Sequence, residues 1–274
     1  MKFFQSLATI DRRIIYLLIA LAVIIPLVLK IVTPVRVSEP VKRAYEAVDR
    51  LPPGSVVMVS VDFEPSSAPE VYPMLVAILR HAFRNDLKII LMGHLVLGQP
   101  LGAEALESTS KEFNKRYGVD YVNLGYRPGY IALMLGIGKE IRDFFSSDYK
   151  AVPLDQLPLM ANIHNYSNVD LLVVLTHGDS GDWWVRTAGA RYGVKIIVGA
   201  TGVTAPDLYP FLQSKQIEGL LGGLQGAAEY EFLIKHFGSA VLGMPAQSFA
   251  HGLIILFIIL GNIGYFVMRR KREH

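Results

Sequence analysis

The sequence predicts an α/β fold: a Rossmann-like, doubly wound, mainly parallel six-stranded sheet, flanked by one N-terminal and one C-terminal transmembrane helix. Three observations predict it. Between residues 55 and 240, six short apolar runs alternate with longer helical patterns, the order that builds a parallel sheet with helices on both faces. Several runs are continuous rather than alternating, such as VDLLVVL at 169–175, as strands covered on both sides are. Hydrophobic residues make up 51% of the chain, and the excess gathers at the two ends.

Residues 1–13 form an N-terminal tail. A first span covers 14–33: the run IIYLLIALAVIIPLVLKIV carries Lys30 as its only charge and approaches the ~20 residues that cross a bilayer as a helix. No small-residue cleavage site follows it, so it reads as an anchor rather than a signal peptide. A connector, 34–54, holds a short helix over Glu39–Val48 and stops at Pro52-Pro53-Gly54. Strands are expected over 55–61, 87–92, 119–124, 169–175, 195–198 and 217–221. Helices are expected over about 73–84, 103–117, 130–146, 182–192, 205–215 and 226–237, with Gly118, Gly193 and Gly238 closing three of them. The long link 147–168 divides the 55–240 domain into two three-strand halves. A second span, 249–268, has no charge and ends in the basic tail 269–274.

Arg12, Arg13 and the run Arg269-Arg270-Lys271-Arg272 hug the terminal flanks. The positive-inside rule then places a multi-pass protein in the cell membrane, both termini cytoplasmic and the α/β domain on the outer side. Of the 27 Lys and Arg, eight lie in tails and spans, against only Asp11 and Glu273 of the 24 acids. The segment 35–248 therefore carries 19 positive and 22 negative residues, which argues against nucleic acid as a partner. With no cysteine, disulfides, thiolate catalysis and thiolate metal sites are excluded. The patch Gly261-Asn262-Ile263-Gly264 offers small residues and one amide for packing on the first span, on a protein partner or in a homo-oligomer.

One internal similarity stands out. SAPEVYPML at 67–75 and TAPDLYPFL at 204–212 agree in residue type throughout. Ser67 and Thr204 would cap, Glu70 and Asp207 would complete capping boxes, and the helices would restart at Pro73 and Pro210. The pattern suggests duplication of a β-α-β-α unit, 55–118 and 193–238.

Ligands of open parallel sheets bind beyond the carboxyl ends of the strands, where strand order reverses. The candidate binding residues are those that follow each strand: Asp62 and Glu64, His94, Arg127, then His177, Asp179, Ser180 and Asp182, then Thr201 and Thr204, and finally Gln225, Glu229 and Glu231. His94, His177 and Asp179 are the candidate metal ligands, being imidazole and carboxylate groups at strand ends. The letters GDSG at 178–181 occur around protease nucleophiles. Here they join a strand to a helix, so Ser180 and Asp182 read first as caps. Of the adjacent Trp183 and Trp184, one should enter the core and the other face a ligand, a partner or the membrane interface. No G-x-G-x-x-G or P-loop spacing is present, and the sequence names no cofactor. Two functions are compatible with this: a non-enzymatic binding or assembly module for a partner protein or small ligand, and a metal-assisted hydrolase or transferase using Asp62, His94, His177 and Asp179, with Glu229 as base.

Overall fold

The structure, a computed structural model, describes residues 11–270, and side chains up to Phe266. Most of the expected tail 1–13 and residues 271–274 of the basic tail lie outside the described residues. The chain divides into two compact units: Val35–Ala240, and the terminal segments Met1–Pro34 with Val241–His274.

The first unit is the α/β domain. Its strands are β1 (Val56–Asp62), β2 (Lys88–Gly93), β3 (Tyr121–Tyr126), β4 (Leu171–Thr176), β5 (Ile196–Ala200) and β6 (Gly219–Gly222). They form one sheet in the order β3-β2-β1-β4-β5-β6, and every pair is parallel. Each strand lies within about two residues of its expected place. The link 147–168 separates the two halves as expected, so order reverses between β1 and β4. Their register pairs Asp62 with Thr176 at the carboxyl ends. All six residues of β4 are buried, which is why its first five, Leu171 to Leu175, read as an unbroken apolar run.

Helices cover both faces. After the connector helix α2 (Glu39–Asp49) come α3 (Ala68–Arg84), α4 (Gln99–Glu112), α5 (Tyr130–Ile137) and α6 (Ser180–Trp184). α6 continues through a π-helical segment, Val185–Gly189, into a closing turn, Ala190–Tyr192; α7 (Ala205–Gln213) and α8 (Gly223–Leu233) complete the set. One core face joins Met58, Ile90, Val122, Leu172, Val174 and Ile196 to Trp184 and Leu208. The alternate strand residues Val57, Val59, Ile89, Leu91, Val173 and Ile197 are buried on the other face.

Several local expectations are corrected. Neither proline-bearing helix restarts: Pro73 lies inside α3 and Pro210 inside α7. Proline removes one backbone bond, and in α3 burial of Val71, Met74, Leu75 and Ile78 outweighs it. The capping boxes do not form. Ser67 turns back to the Glu64 carbonyl, Thr204 donates to the His177 carbonyl, and Glu70 accepts from the Gly202 N–H at 2.8 Å. The helix expected over 130–146 ends at Ile137, beside Gly136 and Gly138. Of the three glycines expected at helix ends, Gly193 closes its helix in the left-handed region (φ 71°). Asn114 and Lys235 take positive φ just past the ends of α4 and α8, leaving Gly118 and Gly238 without that role.

The connector belongs to the domain. α2 buries Val41, Ala44 and Val48 against β6, where a side chain at Gly219 would overlap the Ala44 backbone. Ser38 donates both its backbone N–H (2.8 Å) and its hydroxyl (2.5 Å) to Glu229. His81 on α3 stacks on Tyr45 with centroids 4.5 Å apart, and its ring nitrogens meet Tyr230 Oη at 2.8 Å and Asp49 at 3.3 Å. Burial lowers the His81 pKa, only partly offset by Asp49.

The second unit contains α1 (Arg12–Val28) and, from Val241 on, α9 (Ser239–Arg270), whose first two residues belong to the α/β domain. The 28 residues Ser239–Phe266, which include an 18-residue window of mean hydropathy 1.9, are long and apolar enough to cross a membrane. This segment starts ten residues before the expected span. The expected N-terminal span is shortened: α1 has 17 residues, with Pro26 in its last turn, and the chain turns at Lys30 (φ 48°). At 1.5 Å per residue it rises about 25 Å, under the ~30 Å of a bilayer core. Among the described residues, α9 alone meets the length of a span.

Candidate functional site

The site is a cleft at the switch point, a cavity of about 440 Å³ lined by Asp62, His94, Leu95, Tyr130 and Thr176–Ser180. β1 delivers Asp62 and β4 delivers Thr176 as direct neighbours in the sheet. His94 follows β2, and the turn after β4 carries His177 and Asp179.

Asp62 organises the floor. Its carboxylate is sealed from solvent: Oδ1 accepts from the Ser60 hydroxyl at 2.7 Å and Oδ2 from the Trp184 indole N–H at 2.7 Å. His94 Nδ1 stands 2.9 Å from Oδ1 yet outside hydrogen-bonding direction, so this buried nitrogen has no hydrogen-bond partner. The backbone N–H of His94 also approaches Oδ1, at 3.5 Å. His177 Nδ1 lies 3.3 Å from the Asp62 main-chain carbonyl, to which it must donate because a carbonyl only accepts. One residue thus faces the Nδ1 edge of both imidazoles. Neither Nε2 has a partner among the described residues and neither is sealed from solvent.

A second carboxylate forms the rim. Asp179 Oδ1 accepts from the Tyr130 hydroxyl at 2.6 Å and Oδ2 from the Trp183 indole N–H at 3.2 Å. The Tyr130 bond, chiefly, holds the Asp179 carboxyl below the usual range. Burial first, then Asp179, Asp62 and Asp182, push the Tyr130 phenol well above its ordinary value. The Tyr130 ring leans on the His94 ring with centroids 4.7 Å apart. Tyr130 sits at φ 43° after Gly129 at φ 124°, a backbone state rare for a bulky residue and found where surrounding structure enforces it. Tyr130 is not among the sequence candidates, because the sequence marks it only as the start of a helix; the Pro-Gly before it is the available signal.

The remaining candidates separate. Ser180 lines the cleft but donates to Thr176 Oγ1 at 2.8 Å; no histidine is bonded to it, and it does not cap α6. Asp182 pairs with Arg186 at 2.6 Å. It belongs to a second cavity of about 590 Å³ that shares Gly178 and Asp179 with the first and adds Thr204 and Asp207. Thr201 bonds to Thr204. Glu64 does not line the cleft, and Arg127 lies over the Phe145 ring at 5.3 Å. Glu229 anchors Ser38 and accepts from Gln225 at 2.9 Å; Glu231 accepts from the Gly238 and Ala240 N–H groups. These last three hold the connector and the start of α9, not the cleft. The two tryptophans divide as expected, Trp184 fully buried and Trp183 only partly. Among the described residues no group of three or more His, Asp or Glu side chains is placed to hold a metal ion. Among the described residues, the buried side-chain atoms left without a hydrogen bond belong to His94, Gln99 and Arg127. Gln99, also absent from the sequence candidates, packs under Gly93, next to His94.

A scan against models of known families finds no match, and a search of curated proteins finds no match either.

Proposed function

We propose that the chain is a membrane-associated, non-enzymatic binding module that holds a small ligand in the switch-point cleft. One observation carries the reading: Asp62 faces Nδ1 of both His94 and His177, leaving two Nε2 atoms without partners in one cavity. Fixed side chains with unused hydrogen-bonding capacity, at the edge where open sheets bind ligands, are what a preformed site requires. The test is native mass spectrometry of the full chain extracted from its membranes. A small molecule bound one to one, and lost in His94→Ala, is the expected result; its absence from both proteins counts against the reading.

A second reading, acid–base chemistry in the same cleft, draws support from the Asp62–His94 contact. A carboxylate beside Nδ1 favours the tautomer in which Nε2 is basic. Turnover of the retained molecule, rather than its unchanged release, distinguishes the two.

Membrane association follows from Ser239–Phe266. We infer that α1 and the residues to Val32 form a second, tilted or locally accommodated span. The exposure of Ile14, Leu17, Leu21, Ile24 and Val28 favours lipid around them. The basic flanks support a topology with both termini in the cytoplasm. A Cβ at Gly261 would meet open space, which leaves room for a protein partner or a second copy. The matching positions of the two nine-residue motifs, after β1 and after β5, are consistent with duplication of the unit.

A further inference from the structure

The class of ligand can be read from the hydrogen-bonding groups that the cleft leaves unused. This step rests on the cleft being the ligand site. Its polar lining is Asp62, His94, Tyr130, Thr176, His177 and Asp179 with Ser180, and it includes no Lys or Arg. The donors are already engaged: the Tyr130 hydroxyl on Asp179, the Thr176 hydroxyl on the Gly178 carbonyl, and the Ser180 hydroxyl on Thr176. Asp62 is buried and has two donors and an imidazole against it. What remains is acceptor capacity. His177, donating through Nδ1, presents a lone pair at Nε2. His94, its side chain 6% exposed and its Nδ1 turned to a carboxylate, presents another. Asp179, on the exposed rim, accepts one bond at each oxygen and has lone pairs to spare.

Charge points the same way. Three carboxylates act together on the Tyr130 hydroxyl, and the adjoining cavity adds Asp182 and Asp207 against a single cation, Arg186, which is paired with Asp182. An anion entering here would meet carboxylates without a free cation. A cation with several N–H groups would meet acceptors without competing donors, beside an aromatic ring whose face attracts positive charge.

We propose that the cleft takes a ligand bearing a primary ammonium group, its N–H donors shared among His94 Nε2, His177 Nε2 and the Asp179 carboxylate. The pair of imidazoles held at Nδ1 by Asp62, with no hydrogen bond at either Nε2 among the described residues, and the acid-lined second cavity are two separate observations behind it, and the latter suits a second amine on the same molecule.

The experiment is calorimetric titration of the full-length chain in detergent with three probes: 1,4-diaminobutane, tetramethylammonium and succinate. The diamine should bind. Tetramethylammonium, which has charge but no N–H, should bind at least about tenfold more weakly, since a charge-assisted hydrogen bond is worth about a factor of ten or more. Succinate should give no heat. Asp179→Asn should weaken the diamine about tenfold to a hundredfold, and His177→Ala, read independently, should weaken it as well. Equal affinity for tetramethylammonium, or binding of succinate in place of the diamine, overturns the ammonium assignment. If no probe binds but native mass spectrometry finds a co-purified molecule lost in His94→Ala, the ammonium class falls and the cleft remains the site. If neither method finds a ligand, both fall.

Discussion

Replacing Trp184 with phenylalanine should destabilise the domain through a single lost hydrogen bond. Trp184 is fully buried, and its N–H is the one donor to Oδ2 of a carboxylate that water does not reach, Ser60 and the His94 backbone N–H both donating to Oδ1. Removing a donor from a buried charged acceptor costs about 1.5–3 kcal/mol. For a domain of about 200 residues each kcal/mol lowers Tm by about 2–4 °C, so a fall of roughly 3–12 °C is expected. Loss of ring volume adds to this, and a double-mutant cycle with Asp62→Leu removes that contribution. The four proteins, full length and in detergent, are unfolded by urea and followed by far-ultraviolet circular dichroism, because tryptophan emission itself changes. In the Asp62→Leu background, Trp184→Phe should cost only its shape term, giving a coupling of about 1.5–3 kcal/mol. Costs that add to within about 0.5 kcal/mol would show that the two side chains do not interact energetically, and would remove Asp62 as the organiser of the cleft.

Three further outcomes are expected. The folded His81 pKa is lowered, so below about pH 6.5 the unfolded chain binds a proton that the folded one resists, and stability falls as pH drops, by at most about 1.4 kcal/mol per pH unit. His81→Phe, which can keep the stack on Tyr45, should flatten that slope between about pH 7 and 5; an unchanged slope in urea titrations refutes the assignment. Gly219→Ala should cost about 1–3 kcal/mol by overpacking against Ala44, and an unaltered urea midpoint would mean that α2 does not lie on β6. Finally, protease added to spheroplasts should cleave the α/β domain while sparing a tag at the C-terminus; protection of the domain reverses the proposed sidedness.

The sheet was legible because its residues are constrained locally. β4 must be apolar where both faces are covered, and its buried run from Leu171 to Leu175 announces it. The division at 147–168 likewise fixes where strand order reverses, and so where a cleft opens. What stayed hidden are pairings across long sequence separations. Trp184 reaches Asp62 from 122 residues away, and Tyr130 joins Asp179 across 49; no spacing rule connects them. Ser67 and Thr204 misled for a related reason. They have the chemistry of caps, but the backbone carbonyls of neighbouring loops outcompete the helix N–H groups for their hydroxyls. The first span was read from composition, which does not register where a proline and a left-handed lysine end a helix.

The two adjacent indoles have a practical consequence. They are the only tryptophans in the chain, and each directs its N–H to one of the two aspartates that line the cleft. Nearly all intrinsic emission excited at the red edge of absorption therefore originates within one side chain of the site. Trp183, on the rim, will sense whatever displaces solvent around Asp179, while Trp184 supplies a shielded internal standard. Occupancy becomes readable by fluorescence in the unmodified protein, without a label.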